Sequence, residues 1–394
     1  MTKPLHIALE AVFNRDNQGN IWSATGIEPS FWQRYLAVFE TLVVIARVKN
    51  VATPAPAHLI IQREHISFHD LPAYRGLMEF SLVLFPLLLR LNRVSARSGS
   101  FILRLPGAIG TVVGFMRLLR RQSFAVELVG DLYEVLSGEG FSLMARFLRR
   151  PLTFTTQLLC RSSLANSYVT ERVLQTRYPI GTGGYNDGIS DIDLISADFS
   201  TTAKKYDGQA PLRLFFCGSL AQLYKGLDVL IEAVAQLIEK GKDVVVVVAG
   251  EGNFRAQLEN LARDRRVADR FTFNGQISRA EVFVANDAAD IFVMPSRTEG
   301  LPRAMVEAMA RGICCIGTSV GGIPELLTED ALVLPSDANA LAEAIKYAMD
   351  NPYWVNAQAK RNLSFARKFS INILGPRRTA FYEEVRRRAE GAVR

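Results

Sequence analysis

Two glutamates lie in a segment whose residue types suit the binding of a phosphorylated sugar. Glu299 and Glu307 are separated by seven residues in PSRTEGLPRAMVEAMARG, between an apolar run and a predicted helix. Gly300 and Leu301 precede that helix and Pro302 suits its first turn, where unpaired backbone N–H groups can bind a phosphate. A carboxylate beside a bound phosphate is repelled by it unless it faces a hydrogen-bond donor, and sugar hydroxyls can donate such bonds. The alternative is that Glu299 caps a turn and Glu307 is a solvated helix residue.

The spacing of apolar residues predicts the strands and helices that position these glutamates. From residue 212 onward, β-rich runs (LRLFFCGSL, DVVVVVAG, RFTFNG, DIFVMPS) alternate with helical segments such as KGLDVLIEAVAQLIEKG and NFRAQLENLARD. A looser alternation begins at LHIALEAV, residues 5–12. The pattern predicts two α/β units in series, each with its own parallel sheet. DIFVMPS should therefore end at the carboxyl edge of a sheet, where ligands bind in doubly wound folds.

The predicted domain boundaries lie in polar, turn-rich sequence. Residues 186–211 lack a periodic apolar pattern and mark the seam. We predict a first domain over residues 1–205 and a second over residues 206–375. Residues 376–394 are predicted to form a helix after Pro376 that packs back on the first domain.

The composition is that of a globular protein, with 394 residues, 49% hydrophobic and 22% charged. A net charge of +7 suggests an anionic partner. The N-terminus lacks signal-peptide features, and the longest apolar run, FSLVLFPLLLRL, is shorter than the ~20 residues of a membrane span. A cytoplasmic protein with reduced thiols is expected, and the cysteines show no paired metal-ligand spacing: Cys160, Cys217, Cys314 and Cys315.

The sequence resembles glycosyltransferase family four, the retaining sugar transferases with the GT-B fold. The resemblance is carried by the Glu299/Glu307 pair, by TSVGGIPELL (318–327) and by GSLAQLYKGLDVLIEA (218–233), with VVVVVAGEGNFRAQLE and FTFNGQIS in support. NQGNIWSATG, RLPGAIG and LVGDLYE in the N-terminal half look like exopolysaccharide-building members. The resemblance implies two Rossmann-like domains that face each other across a cleft.

The resemblance also implies roles for individual residues. Glu299 would contact the transferred sugar, and Glu307 would bind the nucleotide ribose. Lys225 would clamp the diphosphate as a point charge; the alternative, a solvated lysine at a helix start, puts a cation at the unfavourable end of the helix dipole. The backbone of Gln276 and Ile277 would contact the base.

The turn before Lys225 departs from the family pattern. Many members have an arginine there, whereas this chain has Gly218 and Ser219, which we include among the donor-binding residues. One diphosphate clamp is therefore missing or supplied from elsewhere, and Arg297 and Arg303 are near in sequence.

The N-terminal half departs from the pattern as well. The histidine that many members have after the fourth strand is replaced by Asp131, which we name as a catalytic candidate that could stabilise positive charge at the anomeric carbon. A turn or helix-cap aspartate is the alternative. Gly19, in the polar loop NRDNQGNIWSATG, is a candidate for close approach to the donor phosphates or an ordinary turn residue.

Arginines dominate one part of the first domain. No acidic residue lies between Glu79 and Glu127, where seven arginines fall. GFMRLLRRQ and SLMARFLRRP have apolar residues at helical spacing with arginines between them, which favours contact with an anionic membrane surface. The alternative is that the apolar residues are in the core and the arginines are solvated. Nucleic acid is disfavoured because no recognition motif accompanies the charge.

These observations predict a retaining hexosyltransferase. It would move a sugar from a nucleotide diphosphate sugar to a saccharide or lipid-linked saccharide acceptor in bacterial surface polysaccharide or glycan synthesis, with no cofactor and no metal. Two alternatives stay open: a non-catalytic sugar-nucleotide-binding subunit of an assembly complex, and a nucleotide-sugar epimerase. The sequence leaves undetermined the donor sugar and base (UDP, GDP or ADP), the acceptor, the linkage and the oligomeric state.

Overall fold

The computed structural model describes residues 3–23, 27, 29–61, 64–74, 76–135 and 143–391. By contacts the chain divides into two compact units. The first comprises Met1–Leu132, Leu148–Ile189 and Gly375–Arg394, and the second Tyr133–Phe147 and Ser190–Leu374.

The first unit contains a parallel sheet with one antiparallel appendage. The order along the sheet is β4-β3-β1-β5-β6-β7-β8, every neighbouring pair in that order is parallel, and β2 pairs antiparallel with β1. The strands are β1 (Leu5–Arg15), β2 (Ile21–Ser23), β3 (Leu42–Asn50), β4 (Ile66–Pro72), β5 (Ser100–Leu105), β6 (Ala125–Leu128), β7 (Ala165–Tyr168) and β8 (Tyr185–Gly188).

Helices connect most of these strands, because parallel neighbours need a crossover connection. They are α1 (Gln33–Leu36), α2 (Gly76–Ser95), α3 (Ala108–Leu119), α4 (Leu132–Val135), α5 (Leu143–Ser162) and α6 (Val173–Arg177). In the described part of the chain, no helix combines the length and the hydropathy needed to cross a membrane.

The second unit has the strand order of a Rossmann fold. Its sheet runs β11-β10-β9-β12-β13-β14, which is the order 3-2-1-4-5-6, and all pairs are parallel. The predicted α/β class with two parallel sheets is confirmed. The strands are β9 (Leu212–Cys217), β10 (Val244–Ala249), β11 (Phe271–Gly275), β12 (Ile291–Met294), β13 (Cys314–Thr318) and β14 (Leu332–Val333). The helices are α7 (Leu227–Glu239), α8 (Arg255–Asp264), α9 (Arg279–Ala288), α10 (Arg303–Ala310), α11 (Ile323–Leu326), α12 (Ala338–Asp350), α13 (Pro352–Ala366) and α14 (Ile371–Gly391).

The last helix links the two units along the sequence. The prediction that it begins after Pro376 is wrong, because α14 begins at Ile371 and contains the proline. Proline fixes φ near the helical value, so the helix continues at the cost of one hydrogen bond. From Gly375 onward α14 belongs to the first unit, where the Tyr382 hydroxyl donates to Glu127 Oε1 at 2.9 Å.

The strand order of the second sheet reverses between β9 and β12. Both strands are central, and all four residues of β12 are buried. Connections leave the sheet in opposite directions at such a point, which opens a crevice at the carboxyl ends of the two strands. Cys217 and Met294 end β9 and β12, so the segments after them meet at this crevice.

Candidate functional site

Lys225 reaches the crevice from a short turn after β9. It ends the single 3₁₀ turn Leu223–Lys225, and Gly226 follows at φ +72° as the N-cap of α7. A Cβ at Gly226 would lie 2.0 Å from the Pro295 carbonyl oxygen, so only glycine allows this close approach. The turn that carries the lysine therefore packs directly on the segment that follows β12.

Lys225 and Glu299 form an ion pair in the crevice. Lys225 Nζ donates to Glu299 Oε1 at 2.6 Å, and the two side chains are 16% and 7% exposed. The Ser296 hydroxyl donates to the same carboxylate oxygen at 2.7 Å. Burial lowers the pKa of Lys225, but attraction to Glu299 and Tyr224 outweighs it and leaves the pKa above its ordinary value. The lysine is consequently a cation across the physiological pH range.

The turn that presents Glu299 is held by the segment after β13. The Thr318 hydroxyl donates to the Ser296 carbonyl at 2.6 Å, and the Gly322 N–H donates to the Gly300 carbonyl at 2.6 Å. Gly321 has φ +50°, and a Cβ there would lie 1.9 Å from the Glu299 carbonyl oxygen. The two glycines in TSVGGIPELL thus bring that segment against the backbone of Glu299.

Helix α10 begins immediately after this turn. Pro302 is its N-cap rather than its first helical residue, and Arg303 opens the helix. Among the described residues, neither the Gly300 nor the Leu301 N–H donates a hydrogen bond. These donors and the positive end of the α10 dipole lie beside the Lys225–Glu299 pair, as anion binding at a helix start requires.

Glu307 lies one turn into α10 and is mostly buried, with a side chain 18% exposed. Burial raises the pKa of its carboxyl, while Arg279 and Arg303 partly oppose the rise. The Arg279 guanidinium lies 3.5 Å from Glu307 Oε1 and also donates to Asp198 Oδ2 at 2.8 Å. Glu307 is therefore a partly desolvated acceptor beside an arginine.

Cys217 connects the two halves of the crevice. Burial raises the pKa of its thiol to about 11; the charge of Glu307 adds to the rise and the charge of Lys225 opposes it. Cys217 is the last residue of β9, so it lies at the sheet edge from which the chain leads into the Lys225 turn. Lys225, Glu299, Glu307 and Cys217 therefore converge at one sheet edge.

The turns after β9, β10 and β11 pack on one another at the same edge. Gly218 lies against the aliphatic part of Lys225, where a Cβ would come 3.2 Å from its Cγ. A Cβ at Gly250 would lie 1.9 Å from the Gly218 carbonyl oxygen. Ser219 is exposed, and its hydroxyl accepts from the Ala221 N–H at 3.3 Å.

The loop predicted to contact the base lies between β11 and α9. Gln276 is exposed and Ile277 half-buried. The loop is fixed at its end by a capping box, in which the Ser278 hydroxyl accepts from the Glu281 N–H and the Glu281 carboxylate accepts from the Ser278 N–H.

Arg297 has a structural role. It forms a bidentate ion pair with Asp228 at 2.9 and 2.6 Å and donates to the Leu223 carbonyl at 2.7 Å. Its guanidinium therefore ties the Lys225 turn to the segment after β12. Arg303 is exposed at the start of α10, where its positive charge opposes the rise in the pKa of Glu307 that burial causes.

Of the two candidates of the first unit, Gly19 lies in an exposed turn and Asp131 is buried. Gly19 has φ +88° in the β1–β2 hairpin turn, where its N–H donates to the Asp16 carbonyl at 3.1 Å. Asp131 follows β6, and its side chain has no exposed surface. Its carboxylate is paired with Arg177 and accepts from the Tyr178 hydroxyl at 2.8 Å. The roles of Gly19 and Asp131 toward a substrate stay predictions.

Three residues that contribute to the site were not singled out from the sequence. Cys217 ends β9 and Ser296 lies two residues after the end of β12, so a position at or just after a strand end is the signal that could have found them. Arg279 begins α9, 28 positions before Glu307 along the chain, and nothing in the spacing connects the two. In the part of the chain that the structure describes, no group of three or more His, Cys, Asp or Glu residues could hold a metal ion.

A buried cation, backbone donors at a helix start and two carboxylates together suit a ligand that combines phosphates with hydroxyls. Residues 204–367 match the family model for glycosyl transferases group 1. The matched range contains the whole crevice. The match supports a group 1 glycosyltransferase.

Curated relatives agree with this match. Protein CapJ from Staphylococcus aureus is 24% identical over 326 residues, which cover 81% of this chain and 80% of CapJ. The amylovoran biosynthesis glycosyltransferase AmsK from Erwinia amylovora is 36% identical over 141 residues, but this covers only 34% of each chain.

A solved structure shares the fold over nearly the whole chain. HepE from Anabaena in complex with UDP and glucose has a TM-score of 0.64 and 17% identity, covering 96% of this chain and 98% of HepE. At this identity the likeness concerns the fold, which is that of the GT-B glycosyltransferases.

Proposed function

We propose that the chain is a retaining glycosyltransferase that takes its sugar from a nucleotide diphosphate donor. The observation that carries the proposal is the Lys225–Glu299 pair, which lies next to the uncommitted N–H groups of Gly300 and Leu301. A diphosphate bound at those groups becomes a new partner for Lys225. Glu299 is then released to accept hydrogen bonds from hydroxyls of the transferred sugar.

The same groups would assist departure of the diphosphate. Negative charge grows on the leaving oxygen as the glycosidic bond breaks, and a buried ammonium and helix-start N–H groups stabilise such charge without reorganisation. Because the crevice carboxylates are paired with cations, we assign neither as a covalent nucleophile. The acceptor oxygen would attack the anomeric carbon from the face that the diphosphate leaves, as the bond from that carbon to the phosphate oxygen breaks. The hydroxyl proton would pass to the leaving phosphate oxygen, and the anomeric configuration is kept.

The remaining donor contacts follow from position. Glu307 would accept hydrogen bonds from the ribose hydroxyls, with Arg279 holding its carboxylate. The backbone of Gln276 and Ile277 would meet the base. HepE was solved with UDP-glucose, and AmsK acts in amylovoran biosynthesis. For this chain we propose a sugar nucleotide as donor and a saccharide or lipid-linked saccharide of a bacterial surface polysaccharide as acceptor.

A thermal-shift panel of UDP-, GDP- and ADP-sugars tests donor binding. A ligand at 100 times its dissociation constant adds ~2.7 kcal/mol of stability, so the matching base should stand out. Lys225→Met should abolish that shift, whereas Lys346→Met, at a half-exposed helix position in the same unit, should keep it. If no sugar nucleotide shifts the unfolding temperature, the proposed donor site is wrong.

Radiolabelled donor with a lipid-linked acceptor fraction then separates the proposed activity from its rivals. A transferase releases nucleoside diphosphate only when acceptor is present and makes a product of retained configuration. A binding subunit shows the thermal shift without release of nucleotide. An epimerase converts the donor without acceptor.

We further propose that the first unit contacts the membrane through α2. Met78, Leu82 and Phe85 are 79%, 77% and 72% exposed and lie on one face of this helix, while Leu87 and Leu91 on the other face are buried. The exposed face would lie in the bilayer interface with nearby arginines at anionic headgroups. This would place the protein at the cytoplasmic face of the membrane.

This assignment moves the proposed contact away from the segments singled out by sequence. In α3, Val113 and Arg117 are buried, so one face of this helix packs on the core and Arg117 is not available to a headgroup. Most of SLMARFLRRP lies outside the residues whose side chains the structure describes.

Vesicle co-sedimentation tests the α2 contact. Leu82→Ser with Phe85→Ser should abolish binding to vesicles that contain phosphatidylglycerol. Val284→Ser with Leu334→Ser removes similarly exposed apolar residues from the second unit, 68% and 66% exposed, and should leave binding intact. Equal binding by the two double variants would exclude α2 as the contact.

A further inference from the structure

A cavity of about 580 Å³ lies at the amino edge of the first unit's sheet. Its walls include Lys3 just before β1, Ser98–Ser100 at the start of β5, Ser123 and Phe124 just before β6, and Leu164 just before β7. Ligands of doubly wound folds bind at the opposite, carboxyl edge. The cavity is therefore separate from the place where this fold would hold its acceptor.

The lining of the cavity is strongly basic. Side chains from the strand-start loops, from the end of α3 and from α14 contribute five cations and a single acidic group: Lys3, Arg97, Arg117, Arg121, Arg386 and Glu390. Across the part of the chain that the structure describes, none of the five cations forms an ion pair with a carboxylate. The cavity wall therefore carries an excess of positive charge.

Arg117 shows this most clearly because it is buried, with 3% of its surface exposed. Its guanidinium donates to the carbonyls of Ser123 at 2.9 and 2.8 Å, Ser95 at 2.9 Å and Arg97 at 3.2 Å, and it lies 3.6 Å from the centre of the Phe101 ring. All of these partners are neutral. A buried cation ordinarily has a carboxylate partner, because desolvation of an unpaired charge is costly.

The electrostatic field of the arginines extends to His6. This side chain is buried and stacks on Phe101 with ring centres 4.3 Å apart. Burial lowers the pKa of His6 to about 4, and the charges of Arg97 and Arg117 contribute. His6 is accordingly neutral at physiological pH, and it adds no charge to the cavity.

We propose that this cavity is a binding site for a phosphate-bearing ligand, separate from the donor site. Guanidinium groups pair with phosphate oxygens in bidentate geometry. Arginines that have no carboxylate partner and line a concave site are therefore suited to bind a phosphate. The volume exceeds that of a lone phosphate ion and falls in the range of small-molecule pockets. The ligand class is therefore a phosphomonoester or diphosphate on a small molecule or on a lipid headgroup.

Calorimetric titration with inorganic pyrophosphate tests the site. Lys225→Ala serves as the parent in every titration, so that the donor site contributes little. We expect one pyrophosphate to bind, and Arg97→Gln with Arg121→Gln to weaken binding at least tenfold. Arg263→Gln with Arg266→Gln is the matched control: these arginines are also exposed, and Arg266 shares the positive φ of Arg121, +57° against +55°. The control should stay within twofold of the parent.

Absence of binding in the Lys225→Ala parent, or equal affinity in the two double variants, overturns the proposal. Neither result bears on the donor proposal, which is tested with Lys225 intact.

Phosphatidic acid vesicles then identify the source of the phosphate. If the phosphate belongs to a lipid headgroup, pyrophosphate displaces the Lys225→Ala parent from the vesicles. The Arg97/Arg121 variant then loses the preference for phosphatidic acid over phosphatidylcholine. If the phosphate belongs to a soluble compound, the parent and the Arg97/Arg121 variant bind the vesicles equally, while the difference in their pyrophosphate affinity persists. Both outcomes support the site.

Discussion

Gly226→Ala is the substitution that most directly tests whether the turn before α7 positions Lys225. Gly226 has φ +72° and Gly241, at the other end of α7, has φ +73°, so alanine costs about 1–2 kcal/mol of backbone strain at either position. They differ in surroundings. A Cβ at Gly226 would lie 2.0 Å from the Pro295 carbonyl oxygen, whereas at Gly241 nothing lies within 4 Å.

The magnitude follows from that distance. Ordinary contact begins at 3.4 Å, so the Lys225 turn must move by ~1.4 Å (3.4 − 2.0) from the segment that carries Glu299. Displacements of ~1 Å at catalytic groups cost about 10²-fold in rate. Overpacking adds about 1–3 kcal/mol of destabilisation.

Urea denaturation and kcat/KM with the donor identified by thermal shift measure both effects. Gly241→Ala should lose about 1–2 kcal/mol of stability and keep near-parental kcat/KM. Gly226→Ala should lose more stability, and its kcat/KM should fall by about 10²-fold. If the two variants have the same stability and the same kcat/KM, the reasoning that ties Lys225 to Pro295 is refuted.

Three further predictions concern the crevice. Lys225→Met and Glu299→Gln should each reduce transfer at least tenfold, about 1.4 kcal/mol. Because donor binding separates the pair, each single variant is spared that cost, and the double variant should lose more than the product of the two; multiplicative losses in a double-mutant cycle would show that donor binding does not break the pair. Because burial raises the pKa of Glu307, affinity for the nucleoside diphosphate should fall as pH decreases through a value above 4.5. Arg279→Gln removes an opposing charge and should move this acid limb to higher pH, whereas Arg263→Gln should not; calorimetry across pH measures both. Cys217, with its pKa raised from 9.0 to about 11, should react with iodoacetamide at pH 8 about 100-fold more slowly than an unperturbed thiol, and bound donor should slow it further. Mass spectrometry gives the rate, and alkylation at the ordinary rate would contradict the burial of the thiol.

The raised pKa of Glu307 also has a consequence for stability. The folded protein retains a proton on this carboxyl at a pH where the unfolded chain has lost it. The contribution of Glu307 to stability is therefore present at low pH and declines as pH rises from the unfolded pKa through the folded one.

Much of the second unit could be predicted from the sequence because its signals are local. An apolar run such as DIFVMPS predicts a buried strand wherever it occurs, and the last glycine of KGLDVLIEAVAQLIEKG marks a helix end. Parallel strands with crossover helices place the chain that follows each strand at a common edge. This geometry assigns Glu299 to that edge, and the resemblance to glycosyltransferase family four adds Lys225 to the same site.

The first unit was less predictable because its arginines have no periodic signature. Arg117 lies among leucines and arginines in GFMRLLRRQ, and the spacing is the same for an arginine at a headgroup, in solvent or in the core. Burial is decided by the carbonyls of Ser95 and Ser123, which come from two other segments. Likewise, the exposure of Met78, Leu82 and Phe85 on α2 depends on how other segments pack around this helix, which the sequence of the helix does not specify.

The sequence by itself determined the alternation of strands and helices, the positions of the turn glycines and the identity of the charged groups after each strand, because each depends on neighbours along the chain. Only the tertiary structure decided the partners. Lys225 and Glu299 are 74 positions apart and meet because the strand order reverses between β9 and β12. Asp131 is enclosed by Arg177 and Tyr178, which lie beyond the next strand along the chain. Pairing across such distances depends on the register and order of the strands, which no local pattern specifies.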